Sequence, residues 1–191
     1  MNTPASQPSL KPGRLFFASR LRQPKRFRLI CYRVLVPGIG PALRTHRLCG
    51  LPGDVLEIRA GTLFVNGQDA DQSLDLMHIF KIQRKDSEPV RFDPRRAYTI
   101  PPYSDILYAP LEDKYVQNNA LPAERYILPS GLRDDAIFRV YKKNWNPDNF
   151  GPVKIPAGRF FVLGDNRGNT TDSRYLGFIE QSKFIGGVLW K

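Results

Sequence analysis

The fold of this chain is decided by one stretch near its C-terminus, Gly164-Asp165-Asn166-Arg167-Gly168-Asn169-Thr170-Thr171-Asp172-Ser173-Arg174. It follows an apolar run at residues 160–163 and is rich in Gly, Asn, Asp and Thr. Short polar side chains of these types bond to nearby backbone groups and favour compact turns. The residues alone therefore predict a tight loop after a strand, with Asp172 and Arg174 placed to pair and brace it.

Short strands and turns are expected through much of the rest of the chain. Seventeen prolines and fifteen glycines interrupt the sequence, a composition that favours strands and turns over long helices. Residues 55–58 and 62–66 flank a turn at Ala60-Gly61 and are typical of a hairpin. Further strand candidates are residues 15–18, 28–36, 160–163 and 184–190. For residues 74–81 and 134–143, periodicity does not decide between helix and strand.

The positive charge is concentrated at the N-terminal end. The first fifty residues contain ten Lys and Arg and no Asp or Glu, whereas the other 141 contain 19 basic and 18 acidic residues. A basic segment attracts acidic lipid head groups, phosphate backbones or acidic proteins. A solvated cationic strand face explains the same charge equally well. Cys31 and Cys49 lie in apolar runs without metal-ligand spacing and are expected to be buried thiols, and no metal or cofactor is expected.

Two more segments, together with the first stretch, identify a family. One is His46-Arg47-Leu48-Cys49-Gly50-Leu51-Pro52-Gly53-Asp54, followed by Gly61-Thr62-Leu63-Phe64-Val65-Asn66-Gly67, and the other is Pro8-Ser9-Leu10-Lys11-Pro12-Gly13. In order and spacing the three segments resemble the bacterial type I signal peptidases, whose boxes are written SMxPTLxxGD, KRxxGLPGD and GDNRDNSxDSRxxG. The last box departs here at Gly168 and Thr170.

The resemblance implies a mostly β fold with a core of coiled antiparallel sheets. Residues 5–67 and 157–191 would form this core, and residues 68–156 would form an inserted β-rich lobe with some helix. It also implies structural roles: Asp172 and Arg174 match the family's ion pair, and Asp54 belongs to the conserved turn of the second box.

The catalytic positions of the family are not matched. A signal peptidase uses a serine nucleophile and a lysine base that is kept neutral by burial. The serine lies three residues before the proline of its box, a position that holds Ala5, and the lysine position holds His46. Ser6 is one residue out of register, which on a strand turns a side chain to the other face. Thr170 matches a hydroxyl that orients the lysine in the family.

Three functions are open at this point. The first is a non-catalytic homologue, a pseudoenzyme, that binds extended peptides or secreted or membrane proteins near the membrane, by strand addition beside Arg44-Thr45-His46. The second is an active signal peptidase with other catalytic groups, Ser6 or Thr170 with His46. The third is nucleic-acid binding through the basic end, which is not expected because no helix-turn-helix, RRM or zinc pattern is present. An anionic membrane surface is a further expected partner, and no oligomeric state is predicted.

Two cellular locations follow from the resemblance. In the family a transmembrane helix ends just before the nucleophile, whereas four residues precede Ala5 here. If an anchor has been trimmed from the N-terminus, the outer face of the bacterial inner membrane is expected, and otherwise the cytoplasm. No run of roughly 18–20 apolar residues occurs in the sequence, and the first ten residues lack the pattern of a signal peptide.

Overall fold

The computed structural model describes residues 4–36, 38–83, 98–99 and 105–190, and in them the predicted mostly β fold is confirmed. The strands are β1 Phe17–Ser19, β2 Leu29–Val36, β3 Gly40–Gly50, β4 Val55–Arg59, β5 Thr62–Val65, β6 Gln68–Asp69, β7 Met77–Gln83, β8 Tyr98–Thr99, β9 Ile106–Glu112, β10 Ala123–Arg125, β11 Phe150–Lys154, β12 Arg159–Leu163, β13 Ile179–Glu180 and β14 Phe184–Trp190. The helices are α1 Asp113–Asn118, α2 Asp135–Tyr141 and α3 Ser173–Leu176.

These strands form three antiparallel sheets. The largest has the order β1-β14-β2-β3-β12-β13, so the C-terminal strands complete a sheet begun by the N-terminal ones. The second has the order β11-β4-β5-β6, and the third β10-β7-β9-β8. In the described ranges no helix has the length and hydropathy needed to cross a bilayer.

The predicted hairpin is confirmed as β4 and β5, which pair from Leu56 to Val65. Its turn places Ala60 at φ 46° and Gly61 at φ 77°. Two successive residues with positive φ give the turn a twist that matches the strands it joins. The inward-facing side chains of the hairpin, Leu56 and Leu63, are fully buried in the core between the first two sheets.

The long strand β3 was not predicted from alternation. Residues 45–50 of β3 are all buried, so no exposed face interrupts the run. Polar His46 and Arg47 lie inside this buried part. In a strand that is buried on both faces, apolar and polar residues do not alternate along the sequence, so the strand cannot be recognised from alternation. Here even the polar side chains of the strand are buried.

The third sheet lies within the predicted inserted lobe. Of residues 74–81, left open between helix and strand, those from Met77 onward form β7, which pairs with β9 along its whole length. Residues 134–143 contain α2, which Asp134 caps by accepting hydrogen bonds from the backbone N–H groups of Ala136 and Ile137. Asp134 thus fixes where the helix begins.

Part of that lobe packs with the core. Strand β11 pairs with β4, and Phe150 and Ile137 are buried in the same cluster as Leu56. A separately packed region would therefore be narrower than residues 68–156, extending from about β7 to β10. The division into residues 5–67 with 157–191 and residues 68–156 stays a prediction.

Candidate functional site

A cleft of about 310 Å³ lies beside the loop that follows β12. Its lining residues are Pro4, Ala5, Arg44, His46, Gly168, Asn169, Thr170 and Thr171. Three positions that the sequence singles out, Ala5, His46 and Thr170, therefore meet in one place although they are far apart in the chain. We call this space the cleft below.

Ala5 is held in the cleft by its backbone. It lies in a short 3-10 turn, Pro4–Ser6, and its carbonyl accepts a hydrogen bond from the Asn166 N–H at 3.0 Å. A Cβ atom at Gly164 would lie 2.8 Å from this carbonyl oxygen, so only glycine permits the approach. The Ala5 side chain is a methyl group, 5% exposed. Asn166 and Gly164 therefore set the position of Ala5 from the loop side.

His46 is buried in β3 and hydrogen-bonded through both ring nitrogens. Nδ1 lies 2.7 Å from the Tyr32 hydroxyl, and Nε2 lies 3.1 Å from Thr170 Oγ1. Burial lowers the pKa of His46 to about 4, because the charged imidazolium is poorly solvated there. At neutral pH the ring is therefore uncharged, with one nitrogen donating and the other accepting.

The Ser6 hydroxyl is engaged elsewhere. It donates a hydrogen bond to the Thr45 carbonyl oxygen at 2.6 Å, and the residue is 1% exposed. Ser6 is not among the residues that line the cleft. The one-residue shift from Ala5 thus turns this hydroxyl toward the β3 backbone.

The loop beside the cleft is braced by a buried ion pair. Arg174 donates through Nε and Nη2 to the two carboxylate oxygens of Asp172, at 3.0 and 2.9 Å. Asp172 also accepts the Gly164 N–H at 3.0 Å. Burial raises the pKa of Asp172, but the Arg174 guanidinium and the Gly164 N–H contribute to an opposing effect that brings it below its ordinary value, so the carboxylate stays ionised. The pair fixes the backbone on which Thr170 is placed.

A second buried pair ties the N-terminal segment to the same loop. Arg47 binds both carboxylate oxygens of Asp165, at 2.6 and 2.5 Å, and its Nη2 also donates to Ser9 Oγ at 2.9 Å. Arg167 binds both oxygens of Asp71 in the same way, at 2.8 and 2.6 Å. These contacts connect the segment of Ala5, the strand of His46 and the loop of Thr170.

Asp54 supports a turn rather than the cleft. Its carboxylate accepts hydrogen bonds from Arg26 at 2.6 and 2.8 Å, from the Leu51 N–H at 2.8 Å and from Asn66 Nδ2 at 2.9 Å. This fully used carboxylate links the turn before β4 to the end of β5. It does not line the cleft.

In the cleft region, Tyr32 was missed as a functional candidate, and Arg44 was named only as part of a strand edge for peptide binding. Tyr32 reaches His46 because β2 and β3 pair with Ile30 opposite His46 and Tyr32 opposite Arg44, a register that the sequence does not state. Arg44 lines the cleft, and its Nε is buried without a hydrogen-bond partner among the described residues. Within those residues no group of three or more His, Cys, Asp or Glu is placed to hold a metal ion.

Comparison with known proteins gives the class to which this fold and cleft belong. The family model "Signal peptidase, peptidase S26" matches residues 1–191. Signal peptidase I of Bacillus amyloliquefaciens is 28% identical over 141 residues, covering 73% of this chain and 44% of that protein. Signal peptidase I P of Bacillus subtilis subsp. natto is 28% identical over 151 residues, covering 77% and 51%. A probable signal peptidase I-2 of Synechocystis is 51% identical over 37 residues, covering 19% and 17%.

The chain therefore belongs to the signal peptidase family, peptidase S26. It spans about half the length of the Bacillus relatives, 44% and 51%. Among solved structures, a signal peptidase I from Enterococcus faecalis V583 aligns with a TM-score of 0.41 at 22% identity, covering 87% of this chain and 97% of that one.

Proposed function

We propose that this chain is a non-catalytic member of the signal peptidase family that binds extended peptides or secreted proteins without cutting them. The observation that supports this most is Ala5, whose methyl group lines the cleft beside His46 and Thr170. A methyl group has no lone pair and cannot attack a carbonyl carbon, so the position that matches the family's nucleophile is chemically inert.

The surroundings of His46 agree with a structural role. Its two ring nitrogens are occupied by Tyr32 and Thr170, and the ring is 1% exposed. With a pKa near 4 it is also a weak base at neutral pH, far from the value that suits proton transfer there. His46 fills the position of the family's lysine and holds Thr170 in place.

A peptide can be bound without chemistry along β3. One edge of residues 40–47 is paired with β2, while β12 pairs with β3 only from Arg47 onward. In the described part of the chain, the other edge of residues 40–44 therefore has no partner strand, and at Thr45 the Ser6 hydroxyl binds the main-chain carbonyl. Main-chain hydrogen bonds to an added strand supply affinity with little sequence preference. Because this segment ends at Arg44, which lines the cleft, an added peptide would reach the cleft.

A second candidate function is an active peptidase that uses Thr170. The supporting observation is that Thr170 Oγ1 lies 3.1 Å from His46 Nε2, within the range expected of a hydroxyl nucleophile and its base. Ser6 is less suited to this role because its hydroxyl is buried and donates to Thr45 O. The low pKa of His46 and the absence of a carboxylate on its Nδ1 make this candidate the weaker one.

One experiment tests both candidates. Turnover is measured with a fluorogenic signal-peptide substrate, and binding is measured with the same peptide made uncleavable. We expect binding of the uncleavable peptide and no turnover above the buffer rate, for the parent chain and for Thr170→Val alike. Turnover that disappears in Thr170→Val, with Thr171→Val as the matched control, establishes the second candidate instead. Turnover that disappears in Ser6→Ala contradicts both the non-catalytic function and the assignment of Thr170 as the nucleophile.

A further inference from the structure

The buried arginines around the cleft differ in whether a carboxylate accompanies them. Arg47, Arg167 and Arg174 are each bound by one aspartate of the chain: Asp165, Asp71 and Asp172, respectively. Each of these charges is thereby neutralised inside the protein, as buried charges require. Asp71, Asp165 and Asp172 are therefore each already paired with an arginine.

For Arg44, no such carboxylate is found among the residues that the structure describes. Arg44 lines the cleft and is partly buried, and its Nε is enclosed without a hydrogen-bond partner among the described residues. None of the eight residues lining the cleft is acidic, and His46 is uncharged at neutral pH. A buried donor on a guanidinium is costly to leave unpaired. Within the described residues, the cleft therefore contains a cation that has no paired carboxylate, and Thr170 and Thr171 line the same cleft.

The unpaired edge of β3 ends at this same place. The Thr45 carbonyl accepts the Ser6 hydroxyl, and from Arg47 onward the edge is covered by β12. A strand added along residues 40–44 can therefore not continue past the cleft without turning away. The geometry favours a peptide whose chain ends there. An ammonium terminus would be repelled by Arg44, whereas a carboxylate terminus matches the two donors of a guanidinium.

We propose that the cleft binds the C-terminal carboxylate of a peptide and that Arg44 is the residue that recognises it. This inference rests on the proposed peptide-binding function and specifies its ligand: a free chain end, not an internal peptide bond. A catalytic member of the family would cleave a peptide bond at this site. In this protein the site would instead bind a peptide whose C-terminus lies in the cleft. Ala5 contributes by leaving room where a side-chain hydroxyl would otherwise stand.

The test compares two N-acetylated, alanine-rich hexapeptides that differ only at the C-terminus, one a free carboxylate and the other an amide. Titration calorimetry on the full chain is expected to show the carboxylate form binding at least ~10-fold more tightly, the effect of one hydrogen-bonded ion pair. Arg44→Gln should abolish this preference, and Arg44→Lys should keep part of it. Arg33→Gln removes a charge from the neighbouring, exposed Arg33 of β2 and should leave the preference intact.

The outcomes separate this inference from the function on which it rests. Equal affinity for the two peptides overturns carboxylate recognition while peptide binding stands. Binding of neither peptide overturns both. Competition by phosphate at lower concentration than by acetate assigns the cleft to a small anion and also overturns the inference. Circular dichroism of each variant, matched to the parent, shows that a lost preference comes from Arg44 and not from unfolding.

Discussion

Nε2 of His46 lies 3.1 Å from Oγ1 of Thr170, inside a cleft that Ala5 also lines. A hydroxyl, an ionisable side chain and the position that motif spacing aligns with the family's nucleophile thus meet in one place. In that alignment an imidazole stands at the lysine position and a methyl group at the serine position, so the cleft would lack the reactive atoms that the family resemblance implies there.

The first prediction restores those atoms. Ala5→Ser with His46→Lys is expected to give weak but measurable cleavage of a signal-peptide substrate. The buried position of His46 would lower the pKa of the new lysine and keep part of it neutral, as a base requires. Each single change should recover far less, because nucleophile and base act as a unit. A folded double variant without activity in detergent or lipid argues against the alignment of Ala5 and His46 with the catalytic pair.

The second prediction concerns the pH dependence of stability. An unfolded histidine binds its proton below about pH 6.5, whereas native His46 binds it only near pH 4. The unfolded state therefore gains protons first, and the free energy of unfolding falls as the pH drops through this window. The loss attributable to His46 is about 3 kcal/mol, from ~1.4 kcal/mol for each pKa unit.

Urea denaturation of the parent and of His46→Gln at pH 7 and pH 4 measures this difference. The variant should lose about 3 kcal/mol less between the two conditions. Burial also lowers the pKa of His78, so the loss that it causes remains in both proteins and cancels in the comparison. Equal losses in the two proteins would show that His46 is accessible to protons in the native state.

The third prediction tests the ion pair beneath the cleft. Asp172→Asn leaves the fully buried Arg174 without its counter-charge, which is expected to destabilise the chain by about 3–5 kcal/mol. The matched control is Glu180→Gln, which breaks the exposed pair with Arg159 and should cost less than about 1 kcal/mol. Similar midpoints for the two variants in urea would mean that the buried pair is not needed for stability.

The fourth prediction concerns the close approach of three segments at Gly164. A methyl group there would lie 2.6 Å from Thr170 Cβ and 2.8 Å from the Ala5 carbonyl oxygen. Gly164→Ala should cost about 1–3 kcal/mol and lower peptide affinity, because both walls of the cleft must move. Gly131→Ala is the control, since nothing lies within 4 Å of its added methyl group. If Gly164→Ala changed neither the thermal midpoint nor the peptide affinity, the contacts around Gly164 would be less tight than these distances indicate.

The fifth prediction is that the chain binds anionic vesicles more tightly than neutral ones and that salt weakens the binding. Of the ten basic residues among the first fifty, Arg26 and Arg47 are paired with Asp54 and Asp165, and the others supply the attraction, each worth about 1 kcal/mol at most near an anionic surface. Leu15 and Leu21, 94% and 93% exposed, lie in the same segment and can enter the lipid interface. Co-sedimentation should weaken for Arg20→Gln but not for Arg139→Gln on α2. Equal partitioning to both vesicle types would show that these basic residues form a solvated surface and do not bind the membrane.

The sequence by itself determined the family and the β fold, and it predicted that Ala5 and His46 stand at two altered catalytic positions. Each of these follows from local information. The β4–β5 hairpin is specified by its own turn residues, and Ala5 and His46 are located by counting from the prolines and glycines of motifs that are contiguous in the chain. Turn chemistry and motif spacing act over a few residues, so they can be recognised without knowing what packs against them.

Only the tertiary structure decided which groups meet. The contact of His46 with Tyr32 depends on the register of β2 with β3, and that with Thr170 on a loop 124 residues away in the chain. Arg44 and Arg47 both lie on β3, but Asp165 pairs with Arg47, whereas no described aspartate pairs with Arg44. Pairings across such distances are set by strand register and burial together, and burial is also what makes His46 neutral and an unpaired arginine significant.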